Sequence, residues 1–414
     1  MKLVFKFHPT LNELQKSIIE ELSFHTTKLY NIANYECREN GFRNYYEMEK
    51  QFKDNWHNDF LHSHTYQQCL KMVEQNWKAY FEAIKDYRKH PDKYLGEPQR
   101  PGFKNIDKGK NEAIFTNLAI RFKDNTLKLS LSKAMQANYN AESLNFEVPE
   151  KLQSIVNWNA IQQVRIQWIN ATKEWVLLII YKGEEKKNTG TNIMSIDLGL
   201  DNLATITFKD NDHSYIIDGK VLKSVNSYAN KEIARLTSIG MKQQGNPKDF
   251  KRTKQIKSIQ AYRNNYVNNY LHKASRQIID LALENKVGTI LIGDIQGIKQ
   301  ESPLKTFVQI PVQRLVKMIE YKANLEGSKV ILLKEFFTSG CSSLDLEPLT
   351  KASYDKSRRI VRGLFETSYG LINSDVNGSL NIMRRYLKDR CIPKLIELAR
   401  DKGVVKHPWR IRVA

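Results

Sequence analysis

Three acidic residues of this chain stand where apolar runs give way to polar ones. They are Asp197 in Met194-Ser195-Ile196-Asp197-Leu198-Gly199, Glu335 in Leu332-Leu333-Lys334-Glu335, and Asp375 in Asn373-Ser374-Asp375-Val376-Asn377-Gly378. Carboxylates brought together from strand ends and a helix start can hold two hard divalent cations against a phosphodiester. The chemistry this predicts is metal-dependent phosphodiester hydrolysis, with Asp197, Glu335 and Asp375 as catalytic residues and as ligands of two Mg2+ (or Mn2+) ions. Each acid taken alone reads equally well as a cap or turn residue. Three in register, in a strongly basic chain, favour catalysis.

The substrate side of that chemistry follows from charge. Lys and Arg number 65 against 45 Asp and Glu, a formal net charge of +20, so the field attracts a polyanion far more readily than a neutral metabolite. With 19 Tyr, 17 Phe and 6 Trp the chain can also stack bases, although most of these rings belong to cores. No apolar run reaches the length of a membrane span, and Met1-Lys2-Leu3-Val4-Phe5-Lys6 lacks the apolar region of a signal peptide, so the expectation is a cytoplasmic protein without a membrane partner. The cysteines, Cys37, Cys69, Cys341 and Cys391, form no C-x-x-C pair, and neither a disulfide framework nor a zinc site is expected.

The elements that must position the acids can be read in order. Leu3, Phe5 and Phe7 alternate as in a short strand, and a helix is predicted from Thr10, with Glu13 completing a capping box and apolar residues recurring to Tyr30. A second helix runs from Tyr66 through Trp77 to Ile84 and ends before His90-Pro91. Its aromatic stripe reads as core; its polar face carries Gln67, Gln68 and Lys71, with His64 just ahead. The Pro/Gly-rich run 91–104 reads as a linker, followed by strands at Ile120–Lys123, Leu127–Leu131, Val164–Trp168 and Trp175–Tyr181. From Ile193 the pattern becomes a hairpin meander (193–196, 203–208, 215–217), then a basic helical stretch with Lys251, Arg252, His272, Lys273 and Arg276. Strand 289–292, helix 312–325, strand 330–333 and a closing helix after Asp375 complete the order of an RNase H-like fold, with Asp197 on its first, central strand.

The residues around the acids resemble a known family. Ile196-Asp197-Leu198-Gly199-Leu200-Asp201-Asn202-Leu203-Ala204, Glu335-Phe336-Phe337-Thr338-Ser339-Gly340-Cys341-Ser342 and Asp375-Val376-Asn377-Gly378-Ser379-Leu380-Asn381-Ile382 look like the RuvC motifs of TnpB, the transposon-encoded RNA-guided nuclease related to type V CRISPR effectors. Pro98-Gln99-Arg100-Pro101-Gly102-Phe103-Lys104 is similar to the family's Pro-Arg-Phe-Lys boundary, and Leu271-His272-Lys273-Ala274-Ser275 to its basic helix. The resemblance implies an α+β multidomain protein. Residues 1–9 and 92–188 would form a β-barrel-like wedge domain, 10–91 an inserted helical recognition domain, 189–335 and 369–414 the RuvC nuclease domain, and 336–368 a basic target-nucleic-acid-binding insertion. In many relatives the second acid is a Glu at the end of the strand that here reads Leu291-Ile292-Gly293-Asp294, with Gly293 at that position. Glu335 therefore resembles the rearranged glutamate of one subgroup, and Asp294, one residue displaced, is the alternative second acid. The insertion, which in relatives often carries a zinc ribbon, keeps only Cys341 and offers Arg358, Arg359 and Arg362.

The implied function is an RNA-guided DNA endonuclease of a transposon. A guide RNA from the transposon end pairs with one strand of double-stranded target DNA beside a short adjacent motif, and the protein holds the backbone through its cations, including Arg100 and Lys104. Gln67 and Gln68 are the expected contacts to the adjacent motif, since amides pair with adenine edges. On DNA the protein would be associated with the bacterial nucleoid. Two other readings stay open: a nuclease-inactive RNA-guided transcriptional repressor, and a guide-independent DNA-binding accessory of transposition.

Overall fold

The computed structural model describes the chain except for residues 108–109, 171, 245–249, 295–309, 362, 389–395, 398–399, 401–403 and 414. Arg362 and Cys391 therefore lie outside the described residues. The chain forms two compact units, Met1–Gly183 and Glu184–Ala414.

In the first unit, β1 (Lys2–Phe7) leads into α1 (Glu13–Glu39). The cap is Asn12, not Thr10: its side chain accepts from the Gln15 backbone N–H while Gln15 returns a bond to the Asn12 N–H. The same three-residue spacing satisfies two orphan donors two residues further along. There follow α2 (Tyr45–Phe52), α3 (Ser63–Lys89), β2 (Ala113–Thr116), β3 (Ile120–Lys123), β4 (Thr126–Ser130), α4 (Lys133–Tyr139), β5 (Ser143–Glu147), α5 (Glu150–Gln153), β6 (Ile161–Ile169) and β7 (Glu174–Lys182). The strands make a sheet of order β1-β7-β6-β2 and a second of order β3-β4-β5. Because β1 pairs antiparallel with β7, Lys2 opposite Lys182, the first residues and the stretch after the helices belong to one sheet. The apolar faces of α1 and α3 share one core with both sheets, built on Ile18, Leu22, Trp77, Phe115, Phe146 and Ile179.

The second unit begins with the expected meander: β8 (Asn192–Leu198), β9 (Asn202–Phe208) and β10 (Tyr215–Asp218) are antiparallel neighbours. Two long helices, α6 (Lys220–Gln244) and α7 (Lys254–Glu284), precede β11 (Val287–Asp294), which pairs parallel with β8. Then come α8 (Val312–Leu325) and β12 (Lys329–Lys334), parallel to β11. A hairpin of β13 (Leu364–Thr367) and β14 (Gly370–Asn373), α9 (Ser374–Leu387) and β15 (Trp409–Ile411) finish the chain. The sheet order is β12-β11-β8-β9-β10-β15, the RNase H-like arrangement with one addition. The sheet's last strand in sequence is β15, parallel to β10, and β12, which the sequence reading made the last, is an edge strand. Helices cover both faces. Met194, Ile196, Ile290 and Ile292 pack into the core shared with α7 and α8, whereas Leu291, Ile331 and Leu333 pack with α9. Among the described residues no helix is long and apolar enough to cross a membrane.

Candidate active site

Strand alternation decides which face each acid serves. On β8, Met194 and Ile196 belong to the α7/α8 core, so Ser195 and Asp197 belong to the α9 side. Ser195 shows this directly: its hydroxyl donates to the Ser379 carbonyl (2.8 Å), and the Ser379 hydroxyl donates back to the Ser195 carbonyl (3.0 Å). Thr207 closes a buried hydroxyl triangle at 2.7 Å from Ser195 and 2.9 Å from Ser379. One turn earlier on α9 lies Asp375. Between them Gly378 leaves room for a carboxylate, since a Cβ there would come within 2.6 Å of Asp197 Oδ2.

The same parity places the second acid. On β12, Ile331 and Leu333 pack on the α9 side, so Glu335, immediately beyond the strand's end at Lys334, continues that row. The strand between β12 and β8 is β11, where Gly293 sits opposite Leu333. A Cβ on Gly293 would lie 1.5 Å from Glu335 Oε1. The Glu335 carboxylate thus occupies the space that a side chain on β11 would fill, and reaches toward Asp197 over bare backbone. Asp294 falls on the opposite parity, with Ile290 and Ile292. Its charge still bears on Glu335 and favours the protonated form of that carboxyl.

Burial, then the charges of Glu335 and Asp375, push the Asp197 carboxyl well above its ordinary range, with Arg359 pulling the other way. Glu335 is pushed up to about 7 by burial and then by Asp294. Its Oε1 is buried without a hydrogen-bond partner among the described residues. A desolvated carboxylate oxygen with no donor, beside two more acids, suits a cation. Among the described residues no group of three or more His, Cys, Asp and Glu side chains already has the closeness of a ligand cage, as mutual repulsion between carboxylates favours.

Two profiles match this chain: that of the OrfB_IS605 family, described as a probable transposase, over residues 171–299, and that of the Cas12f1-like TNB domain over residues 313–382. The CRISPR-associated endodeoxyribonuclease Cas12f1 of Sulfoacidibacillus thermotolerans is 26% identical over 219 residues, 50% of this chain and 50% of that protein. Cas12f2 of Micrarchaeota archaeon (strain CG1_02_47_40) is 26% identical over 237 residues, 53% of this chain and 42% of that one. The chain spans about half the length of these curated relatives. In fold it is similar to Cas12f1 in a complex with sgRNA and target DNA, with a TM-score of 0.55 at 15% identity over 89% of this chain and 81% of that one. It is also similar to CasPhi-2 (Cas12j) bound to crRNA and phosphorothioate-DNA, with a TM-score of 0.50 at 10% identity over 95% and 92%. Residues 171–299 and 313–382 thus resemble TnpB-like and compact Cas12f proteins in sequence, and the chain resembles Cas12f1 in fold.

The structure adds residues that the sequence reading passed over. Asn202, at the start of β9, donates from Nδ2 to Asp375 Oδ2 at 2.6 Å, and Asn373 caps α9 by accepting from the Asp375 and Val376 N–H groups. Asn377, Asn381 and Arg384 form a buried polar stripe on α9 that pins the segment after Glu335. Asn377 donates to the Cys341 carbonyl and accepts from the Ser343 N–H. Asn381 donates to the Thr338 and Cys341 carbonyls, and Arg384 to those of Ser342 and Glu347. Polar residues spaced i, i+4, i+7 in an otherwise apolar helix were the available signal. Asn202→Ala should leave Asp375 unoriented and lower cleavage or metal affinity about tenfold to a hundredfold; a metal titration of the purified variant checks this.

The predicted nucleic-acid contacts divide by environment. In the first unit, the His64 ring nitrogen Nδ1 lies 2.7 Å from Thr116 Oγ1, and the Gln68 side chain accepts from Gln163 at 3.5 Å. Gln67 is half-buried beside them on α3, Lys71 lies over the Tyr45 ring, Lys104 over the Tyr30 ring, and Arg100 is exposed. In the second unit, Lys251, Arg252, His272 and Lys273 are exposed, while Arg276 is paired with Asp280 and Glu326. Arg359 is exposed and its charge reaches Asp197.

Arg358 has a different occupation. It bridges Asp345 (3.2 Å) and Glu347 (2.5 Å), donates to the Glu366 carbonyl and covers the Phe365 ring, while Asp345 also accepts from Ser342 and Ser368. Those bonds hold the residues around the β13–β14 hairpin together, which leaves Arg358 little capacity for phosphate. Arg358→Ala strands two part-buried carboxylates and should destabilise this lobe by about 2–3 kcal/mol, visible as lost amide protection around β13 and β14 with the central sheet unaffected.

Proposed function

We propose that this protein is an RNA-guided endonuclease that cuts double-stranded DNA through Asp197, Glu335 and Asp375. The observation that carries the reading is the Glu335 carboxylate lying in the space left by Gly293, on the same sheet face as Asp197 and beside α9. The charges of Glu335 and Asp375, from distant parts of the chain, both bear on the buried Asp197 carboxyl there. Two Mg2+ or Mn2+ ions held by these acids would activate a water and stabilise the leaving oxygen of a phosphodiester. Asn202 and Asn373 keep the first turn of α9 and its Asp375 in place, Gly378 admits the Asp197 carboxylate, and the Asn377–Asn381 stripe fixes the segment that follows Glu335.

Guide RNA and target DNA are the partners proposed. They are supported by the likeness to proteins solved with sgRNA or crRNA and DNA, and by the net charge of +20. A transposon-end origin of the guide, a short adjacent motif beside the target and action at the nucleoid in the cytoplasm belong to the same proposal. The test is to co-express the protein with RNA from its native flank, sequence the bound RNA, and offer a matching duplex beside a randomised segment in Mg2+. Guide-dependent double-strand cleavage, lost in Asp197→Ala and Glu335→Ala, is expected. Guide-dependent binding with no cleavage by the parent protein would replace the nuclease with a repressor.

A further inference from the structure

Helices α6 and α7 carry a surface that the acid cluster does not use. The inner side of α6 is buried through Leu222, Asn226 and Ala229, and Arg263 on α7 donates to the Asn226 side chain at 2.7 Å, which fixes the pair. The outer side presents Lys220, Lys223, Ser224, Ser227, Tyr228 and Lys231, spaced i, i+3, i+4, i+7, i+8 and i+11, so they form one stripe. The stripe lines a hollow of about 510 Å³, which through Ser224 and Tyr228 adjoins a second of about 710 Å³ walled across by Ser258, Ile259 and Tyr262 of α7. Among the described residues no acidic side chain lines either hollow. Tyr228 and Tyr262 are 58% and 56% exposed, far more than core tyrosines such as Tyr30 at 1%.

One end of the stripe lies against the turn between β8 and β9 that follows Asp197. Lys223 Nζ lies 3.2 Å from Asp201 Oδ1, and Asp201 directly precedes Asn202, the residue holding Asp375. From there α6 carries its cations away along its axis, with Lys220 and Lys231 about 16 Å apart at the helical rise.

We infer that the groove between α6 and α7 grips an unpaired nucleic-acid strand, with phosphates along Lys220 and Lys231 and bases stacked on Tyr228 and Tyr262, and leads that strand to the acids. The inference deepens the nuclease reading and rests on it for the strand's destination. Lys220 and Lys231, flanking the Asp201-paired Lys223, match a phosphodiester backbone, and exposed tyrosine faces match bases that a duplex would keep stacked on one another.

The test uses the full-length protein in chelator, where binding is read without cleavage, against a fluorescent homothymidine oligodeoxynucleotide across a salt series. Lys220→Gln with Lys231→Gln is expected to lower the slope of log affinity against log salt by about 1.4, the share of two single-strand phosphate contacts. Tyr228→Ala and Tyr262→Ala are each expected to weaken binding about fivefold or more with the slope unchanged. An oligoribonucleotide of matching length is the comparison: DNA bound at least as tightly upholds the groove as a path to the acids, and a clear preference for RNA overturns that path. Unchanged single-strand affinity in all three variants overturns it, as does a lysine effect of equal size on blunt duplex with no tyrosine effect, which would mark a duplex clamp. Asp197→Ala separates the two claims: it should abolish cleavage and leave oligonucleotide binding at the parental level. Cleavage surviving in Asp197→Ala would remove the nuclease reading while the binding result still stood.

Discussion

Gly293→Ala is expected to lower DNA cleavage by about three orders of magnitude, a loss of about 4 kcal/mol of transition-state stabilisation. The added methyl group would lie 1.5 Å from Glu335 Oε1, so the carboxylate must move. Neighbouring strands lie about 4.8 Å apart, which puts the backbone of β12 about 9.6 Å from that of β8. Glu335 spans that gap only because β11, the strand between, carries no side chain at position 293. The acid could instead be supplied from β11 itself. Gly293→Glu should be as inactive as Gly293→Ala, because two carboxylates then compete for one space, and Gly293→Glu combined with Glu335→Ala should recover much of the parental rate. Initial cleavage rates of the four proteins decide the matter. Parental activity in Gly293→Ala would mean that the Glu335 carboxylate is not needed where it stands.

Asp197→Asn should abolish cleavage and at the same time make the metal-free protein more stable. A carboxyl whose pKa is raised in the folded state binds protons more tightly there than in the unfolded chain. It costs nothing at a pH low enough to protonate both states, and destabilises the fold increasingly as pH rises toward the folded value. For Glu335 that window runs from its ordinary 4.5 to about 7, with a penalty of up to about 3 kcal/mol above it. Asp197, raised by burial and by two neighbouring charges, adds to the penalty in the same direction. Urea midpoints in chelator should therefore fall between those pH values for the parent and fall less for Asp197→Asn, which should be the more stable of the two at pH 8. Mg2+ should stabilise the parent and leave the variant nearly unchanged. A variant less stable than the parent in chelator at pH 8 would show that Asp197 is held by favourable contacts and is not under electrostatic load.

Much of this architecture is legible from local pattern. The meander β8–β10 and helix α8 declare themselves by period two and period 3.6, and the three acids stand out because each ends or begins such a run. What escaped depends on contacts that no short window contains. Strand β15 has three residues and exists because β10 offers a free edge to it, and the Asn202–Asp375 bond joins residues 173 positions apart. The cap of α1 was displaced because Thr10 and Asn12 are each followed at the same spacing by a residue able to complete a capping box. Arg358 read as a cation for phosphate because its partners Asp345 and Glu347 lie in an irregular segment with no periodicity to connect them. The face on which Glu335 works could be argued from parity, but the vacancy at Gly293 acquires its meaning only when β11 is known to lie between the other two strands.

The buried triangle of Ser195, Thr207 and Ser379 gives α9 a single depth at which it can sit. Apolar side chains tolerate sliding by fractions of a residue, whereas two serine hydroxyls that each donate to the other's carbonyl, with Thr207 left to donate to one of them, are satisfied at one distance and one rotation only. The helix therefore works as a gauge block: it carries Asp375 one turn ahead of the triangle and Gly378 directly beside it, so the interval between Asp375 and Asp197 is machined into the packing before any ion arrives.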